Sequence, residues 1–108
     1  MDVNPELAIE YLFKHGKRYA KAKAERIYLE EYRKSLKAIL MKRSYEQTVN
    51  AQEREAYSAQ EYIDLLKGLK EAVEREEEIR WGLVAAQARI EVWRSQEATN
   101  RAEGRATV

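Results

Sequence analysis

The 108-residue chain contains no cysteine, a single proline, a single histidine and four glycines. Without cysteine it can form neither disulfides nor thiol-based catalytic or zinc sites. Scarce proline and glycine, together with 36% charged and 44% hydrophobic residues, favour long solvated helices over sheets or loop-rich folds. The sequence also has no apolar run long enough for a signal peptide or a membrane span. We therefore expect an intracellular, mostly helical protein of one domain that makes no membrane contact.

The first helix is predicted from a capping pattern. Asn4 suits the N-cap position, and Pro5 suits the first helical position, where its missing N–H group does no harm. Gly16 is a candidate for a bend or a short break. The sequence thus predicts helices at residues 5–15 and 17–43, which are either separate or continuous.

The second half of the chain is predicted to hold a short helical turn and one long helix. The turn lies at residues 49–56, inside the connection between the long helices. Ser58 and Glu61 match a capping box, in which both side chains accept hydrogen bonds from amides at a helix start. The long helix is therefore predicted at residues 59–99, and residues 100–108 are expected to form a flexible tail.

The long helix carries the strongest periodic signal in the chain. Eleven positions alternate at steps of three and four residues over five heptads, which is the spacing of a coiled coil. We call these positions the C-terminal seam: Tyr62, Leu65, Leu69, Ala72, Glu76, Ile79, Leu83, Ala86, Ile90, Trp93 and Glu97. The pattern predicts an all-α, elongated antiparallel helical hairpin, with residues 1–99 as a single helical domain.

The apolar stripe in the first half of the chain is less regular. Its steps are mostly four residues, so it drifts around a helix of 3.6 residues per turn and no single straight partner can cover it. Its apolar and small positions are Ile9, Phe13, Gly16, Ala20, Ala24, Tyr28, Tyr32, Leu36, Ile39 and Leu40. On this pattern Tyr28 and Tyr32 are expected to be core residues.

Charge is segregated along the chain. The net charge of +1 conceals a charge of +8 over residues 14–43 and of −6 over residues 44–78. An antiparallel hairpin would place these two segments side by side, so much of the basic charge is expected to be balanced within the molecule. Exposed pairs of this kind contribute only about 0–1 kcal/mol each, but they disfavour wrong alignments.

The residues for catalysis are missing. There is one histidine, no glycine-rich phosphate loop, and no Glu-x-x-His spacing of the kind that binds metals in helical bundles. We therefore expect neither an enzyme nor a bound metal or cofactor. Glu76 alone in its acidic cluster falls on the C-terminal seam, and we expect it to form a structural ion pair with a basic residue of 21–37.

One arc of the first long helix is basic and aromatic. Such a combination neutralises phosphates and stacks on bases in proteins that bind single-stranded nucleic acid. We call this arc the basic ridge: Tyr19, Lys23, Arg26, Arg33 and Lys37. It predicts contact with single- or double-stranded nucleic acid or with an acidic partner, unless its charges only pair with the acidic helix.

The two tryptophans cannot share one helix face. Trp93 lies on the C-terminal seam, whereas Trp81 lies about 160° from Leu83 at 100° per residue. Trp81 begins a second apolar row that we call the outer stripe: Trp81, Ala85, Ala88 and Val92. Its cover is either residues 5–15, folded over after a bend at Gly16, or another subunit, and the sequence favours a homo-oligomer.

Two segments, YLEEYRKSLKAILM at residues 28–41 and EYIDLLKGLKEAVEREEEIRWGLVAAQARIEVWRSQEATNR at residues 61–101, resemble small uncharacterised helical proteins of tailed bacteriophages and prophages. The resemblance implies an accessory role around phage DNA replication or recombination, in the cytoplasm of a bacterial host, with a phage or host protein as partner. It transfers no functional residues. The alternative is a structural or protein-interaction module that self-assembles through the outer stripe without touching nucleic acid.

Overall fold

The computed structural model describes residues 3–107, which form three α-helices and no strand. The helices are α1 (Pro5–Arg43), α2 (Val49–Ser58) and α3 (Gln60–Thr107). The predicted all-α helical hairpin is confirmed. In the predicted domain of residues 1–99 and in the predicted tail, residues 1, 2 and 108 lie outside the described part.

The helix starts are set by short polar side chains. The Asn4 side-chain oxygen accepts hydrogen bonds from the amides of Glu6 and Leu7, at 3.0 and 3.4 Å, and so caps α1 as predicted. The Thr48 hydroxyl accepts from the amide of Ala51 at 3.1 Å and caps α2. Each cap satisfies amides that have no partner inside the helix.

Ser58 has a different role from the one predicted. Its hydroxyl donates to the carbonyl oxygens of Arg54 and Glu55, so it closes the end of α2 instead of capping α3. Ala59 is extended and lies between the two helices, and its carbonyl accepts from the amides of Tyr62 and Ile63 in the first turn of α3. The helix therefore begins at residue 60, one position later than predicted.

Both long helices are uninterrupted: of the two alternatives for residues 5–43 the structure has the single helix, and the predicted flexible tail is helical as far as Thr107. α1 runs through Gly16 as one helix, because the roughly 1 kcal/mol that a helical glycine costs is small beside the packing of a helix this long. α3 continues past residue 99 to Thr107. The predicted tail lacks apolar seam residues, but it also lacks proline, and Arg, Ala and Glu favour helix without packing.

The first compact unit of the chain, Lys21–Glu76, contains a corner around α2. Arg43 of α1 binds Glu61 at 3.2 Å, whereas the earlier Arg26 binds the later Glu76, so α1 and α3 are antiparallel in this unit. The buried residues at the corner are Leu36, Leu40, Ala56 and Tyr62, with Met41, Ala59 and Leu65 packed against them. The Tyr57 and Tyr62 rings meet edge to face, with centroids 5.2 Å apart.

The second compact unit contains α1 through Ala20 and α3 from Glu77 onward. Ala8 of α1 and Ala86 of α3 are buried here. Tyr11 lies directly over Gly82, so closely that a Cβ on that glycine would overlap the tyrosine hydroxyl oxygen. Small residues therefore allow the two helices to approach closely in this unit.

The C-terminal seam is the packed face of α3, as its spacing predicts. Its positions from Tyr62 to Trp93 are all buried or half-buried, and only the last, Glu97, is exposed. A continuous seven-residue repeat holds one face of a helix toward its partner.

The prediction for the packed face of α1 is confirmed at Leu36 and Leu40 but is wrong for most of the helix. Phe13 is 80% exposed and Tyr28 is 63% exposed, and Ile9, Tyr32 and Ile39 are also exposed. The packed positions repeat strictly at steps of four and three: Ala8, Leu12, His15, Tyr19, Ala22, Arg26, Leu29, Arg33, Leu36 and Leu40. A stripe with four-residue steps drifts away from a partner, whereas this heptad set stays opposite α3 even though it includes polar residues.

Candidate interaction surface

A charged pair lies on the packed face in the unit Lys21–Glu76. Arg26 donates from Nε to Glu76 Oε2 at 2.7 Å and from Nη2 to Glu76 Oε1 at 3.0 Å, a bidentate geometry. A third donor, Nη1, reaches Glu30 at 3.0 Å. Glu76 is only 6% exposed. Hydrogen bonds to Glu76 and then to Glu30 raise the pKa of Arg26, so this guanidinium is permanently charged.

A second cation is held at the α2 corner. The Lys37 ammonium donates to the Glu53 carboxylate and lies 4.8 Å from the centroid of the Tyr57 ring. The hydrogen bond to Glu53, followed by one to Tyr57, raises the pKa of Lys37. Both anchored cations therefore join helices within their unit.

Most residues of the predicted basic ridge are not exposed. Arg26 and Lys37 are bound to carboxylates, and Tyr19 and Arg33 are half-buried on the packed face of α1. Lys23 is the one residue of the predicted ridge that is exposed. The five residues thus do not form an outward surface, because their seven-residue spacing, at 19, 26 and 33, belongs to the packed face.

The outer stripe, in contrast, is exposed in the single chain. Trp81 is 59% exposed, Val92 is also exposed, and Ala85 and Ala88 between them face solvent. Steps of four, three and four residues align the four side chains along one face of α3. Toward the C-terminus the stripe continues into a shallow groove of about 430 Å³ that Val92, Ser95 and Thr99 help to line.

The Trp81 ring has a charged neighbour over its face. The Arg80 guanidinium lies 4.6 Å from the centroid of the indole ring. Arg80 in turn donates to the Glu77 carboxylate at 2.8 and 3.0 Å. Trp81 and Arg80 thus present an aromatic ring and a guanidinium together, and both residue types are enriched among those that dominate interfaces.

The N-terminal helix does not cover the outer stripe. α1 continues through Gly16 as one helix, and its Tyr11 reaches the edge of the stripe, where Tyr11, Gly82 and Ala85 help to line a small hollow. Of the two covers that the sequence left open, the intramolecular one therefore reaches Ala85 but leaves Trp81 59% exposed.

The described residues contain no cluster of three or more His, Asp or Glu side chains that could hold a metal ion. Within residues 3–107 no helix combines the length and the apolarity needed to cross a membrane. Comparisons with protein-family models, with curated proteins and with solved structures found no match to this chain.

Sequence reasoning missed the polar members of the packed face of α1. The signal was present as two interleaved seven-residue ladders, 8-15-22-29-36 and 12-19-26-33-40. Because Arg26 and Arg33 are charged, a search for apolar residues passes over the second ladder. Glu76 on the C-terminal seam indicates that the packed face of α1 includes a basic residue, since a buried carboxylate requires a cation opposite to it.

Proposed function

We propose that this protein is a non-catalytic helical interaction module that self-associates through the outer stripe of α3. The observation that carries the proposal is the 59% exposure of Trp81 at the head of an aligned apolar row. Large aromatic side chains that lie exposed on a helix face are typical of protein interfaces.

The exposed area indicates how strong the association should be. A tryptophan side chain buries roughly 150–250 Å², so 59% exposure leaves on the order of 140 Å² to be covered in each copy. Covering two copies at about 25 cal/mol per Å² contributes roughly 7 kcal/mol. Association itself costs an estimated 4–15 kcal/mol. We therefore expect a weak complex that depends on the alanines and Val92 as well.

The test is the mass in solution at protein concentrations from about 1 μM to 1 mM, the range expected for weak complexes. Light scattering and sedimentation should show a mass that rises with concentration for the wild type. Trp81→Ala should weaken the association at least tenfold. Tyr45→Ala, which removes a 97% exposed ring outside the stripe, is the matched control and should leave it unchanged. A wild type that stays monomeric throughout removes the proposal.

A second candidate function is binding of nucleic acid, at a different place from the predicted ridge. Lys14, Lys17 and Arg18 are exposed on α1, next to the exposed Phe13 ring. In the described part of the chain neither lysine pairs with a carboxylate. We call Lys14, Lys17 and Arg18 the basic cluster. Arg18 Nη1 lies within hydrogen-bond distance of His15 Nδ1, at 3.1 Å. Exposed cations beside an aromatic ring are the elements of single-strand binding.

Fluorescence anisotropy with single- and double-stranded oligonucleotides tests this candidate at about 50 and 200 mM salt, because phosphate contacts weaken steeply with salt. Replacing Lys14 and Lys17 by Gln should reduce binding, whereas the same change at the exposed Lys67 and Lys70 of α3 should not. Absence of binding at the lower salt rejects this candidate. The accessory role around phage DNA, implied by the resemblance, is a prediction that depends on the same measurement.

A further inference from the structure

The outer stripe has the same spacing in both directions. From Trp81 the steps are four, three and four residues, and from Val92 backward they are again four, three and four. The large side chains lie at the two ends and the alanines in the middle. If a second copy of α3 runs antiparallel across this face, Trp81 meets Val92 of the other copy and Ala85 meets Ala88.

The symmetry extends beyond the apolar residues. Glu78 precedes Trp81 by three positions and Ser95 follows Val92 by three, and both are exposed. In the antiparallel arrangement the Glu78 carboxylate therefore faces the Ser95 hydroxyl. In a parallel arrangement in register, Glu78 faces its own copy, and like charges directly opposite each other are unfavourable. Glu74 lies four residues before Glu78 and Thr99 lies four residues after Ser95, so these two residues would also face each other in the antiparallel arrangement.

The residues that flank the outer stripe are also compatible with the antiparallel arrangement. On one side of the stripe, Val84 would lie near Glu91 of the other copy, which sets no like charges against each other. On the other side, Gly82 is covered by Tyr11 of its own chain, so Arg89 of the other copy would meet this tyrosine. The alanines in the centre let the two helices approach closely, as small residues do at helix crossings.

We propose that the protein forms a two-fold symmetric antiparallel homodimer, with its axis between Ala86 and Gln87 of α3. This inference rests on the proposed self-association and specifies its partner and its register. A symmetric pair of this kind is a closed assembly, in which each stripe is used once and no further copies are added.

The lack of cysteine in the chain allows a direct test by disulfide cross-linking. Glu78→Cys and Ser95→Cys each place one thiol on the stripe without altering its four apolar residues. When the two variants are mixed and oxidised, residue 78 of one copy lies opposite residue 95 of the other. Either variant alone should not cross-link, because its two thiols lie roughly 25 Å apart along the helix at 1.5 Å per residue.

The expected result is a covalent dimer in the mixture, at a yield at least tenfold above that of either variant alone. Adding Trp81→Ala to both variants should abolish it. Cross-linking of each variant with itself overturns the antiparallel register but leaves self-association standing. A dimer by light scattering that cross-links in neither setting also overturns the register. A protein that stays monomeric refutes the proposed function itself.

Discussion

Alanine replacements of three helical glycines would separate helix propensity from interhelix packing. Gly16 lies in α1, and Gly68 and Gly82 lie in α3, all well inside their helices. Alanine is favoured over glycine in a helix interior by about 0.8–1 kcal/mol. A Cβ atom at Gly16 or Gly68 would meet nothing within 4 Å, whereas at Gly82 it would overlap the Tyr11 hydroxyl oxygen and lie 3.2 Å from Tyr11 Cζ.

The three variants should therefore differ in stability. Gly16→Ala and Gly68→Ala should each raise the free energy of unfolding by roughly 0.8–1 kcal/mol, which corresponds to a Tm increase of about 4–8 °C for a chain of this size. In Gly82→Ala the hydroxyl end of the Tyr11 ring must shift, and the packing of Tyr11 on Gly82 that this shift loses offsets part or all of the gain in helix propensity. We expect a smaller gain there than at the other two positions, or none.

Urea denaturation followed by circular dichroism at three protein concentrations would measure these changes. A rescue variant makes the test sharper, because Tyr11→Phe removes the overlapping oxygen. In the Gly82→Ala background Tyr11→Phe should restore stability, whereas in the wild type it should not raise it. If Gly82→Ala stabilises the protein as much as the other two replacements, the close approach of Tyr11 to α3 is refuted.

Two further predictions concern titratable side chains. Glu76→Gln should lower the free energy of unfolding by about 1.5–3 kcal/mol in a denaturant melt, because a buried charge-assisted bidentate contact with Arg26 is lost. Adding Arg26→Met should recover part of this loss. A double-mutant cycle that shows no coupling between the two residues would contradict the ion pair. His15 should titrate by NMR below its usual pKa of 6.5, because desolvation and the charges of Arg18 and Lys14 disfavour its protonated form. Since the unfolded chain then binds more protons, stability should decline as pH falls through 6.5, and this decline should vanish in His15→Gln.

The long helix could be predicted well from the sequence, and the first helix only in part. In α3 the seam positions are mostly apolar, so periodicity alone identifies the packed face. In α1 the packed face contains Arg26 and Arg33, while Phe13 and Tyr28 lie outside, so hydrophobicity misidentifies it. Whether a residue of α1 is buried depends on the α3 residue that it faces. The hydrophobic pattern of α1 alone does not contain this information.

The outer stripe could be predicted because it depends only on angles within one helix. Trp81 and Trp93 are separated by a fixed rotation, whatever the helix packs against. The prediction of the basic ridge relied on knowing which face of α1 packs against α3. Because that face was predicted wrongly, most of the ridge residues were placed on the wrong side of α1. The outer stripe was thus accessible from the sequence, whereas the packed face of α1 was not.

The corner around α2 has a consequence for the order of folding. Leu36, Leu40, Ala56 and Tyr62 are close in the chain, so their contacts close short loops. Tyr11 and Gly82 are much further apart in the chain, and each doubling of loop length adds about 0.6 kcal/mol to the entropy of closure. Contacts at the corner should therefore form in the folding transition state, and those of Tyr11 after it. Destabilising changes at Ala56 would then slow folding, whereas changes at Tyr11 would mainly speed unfolding.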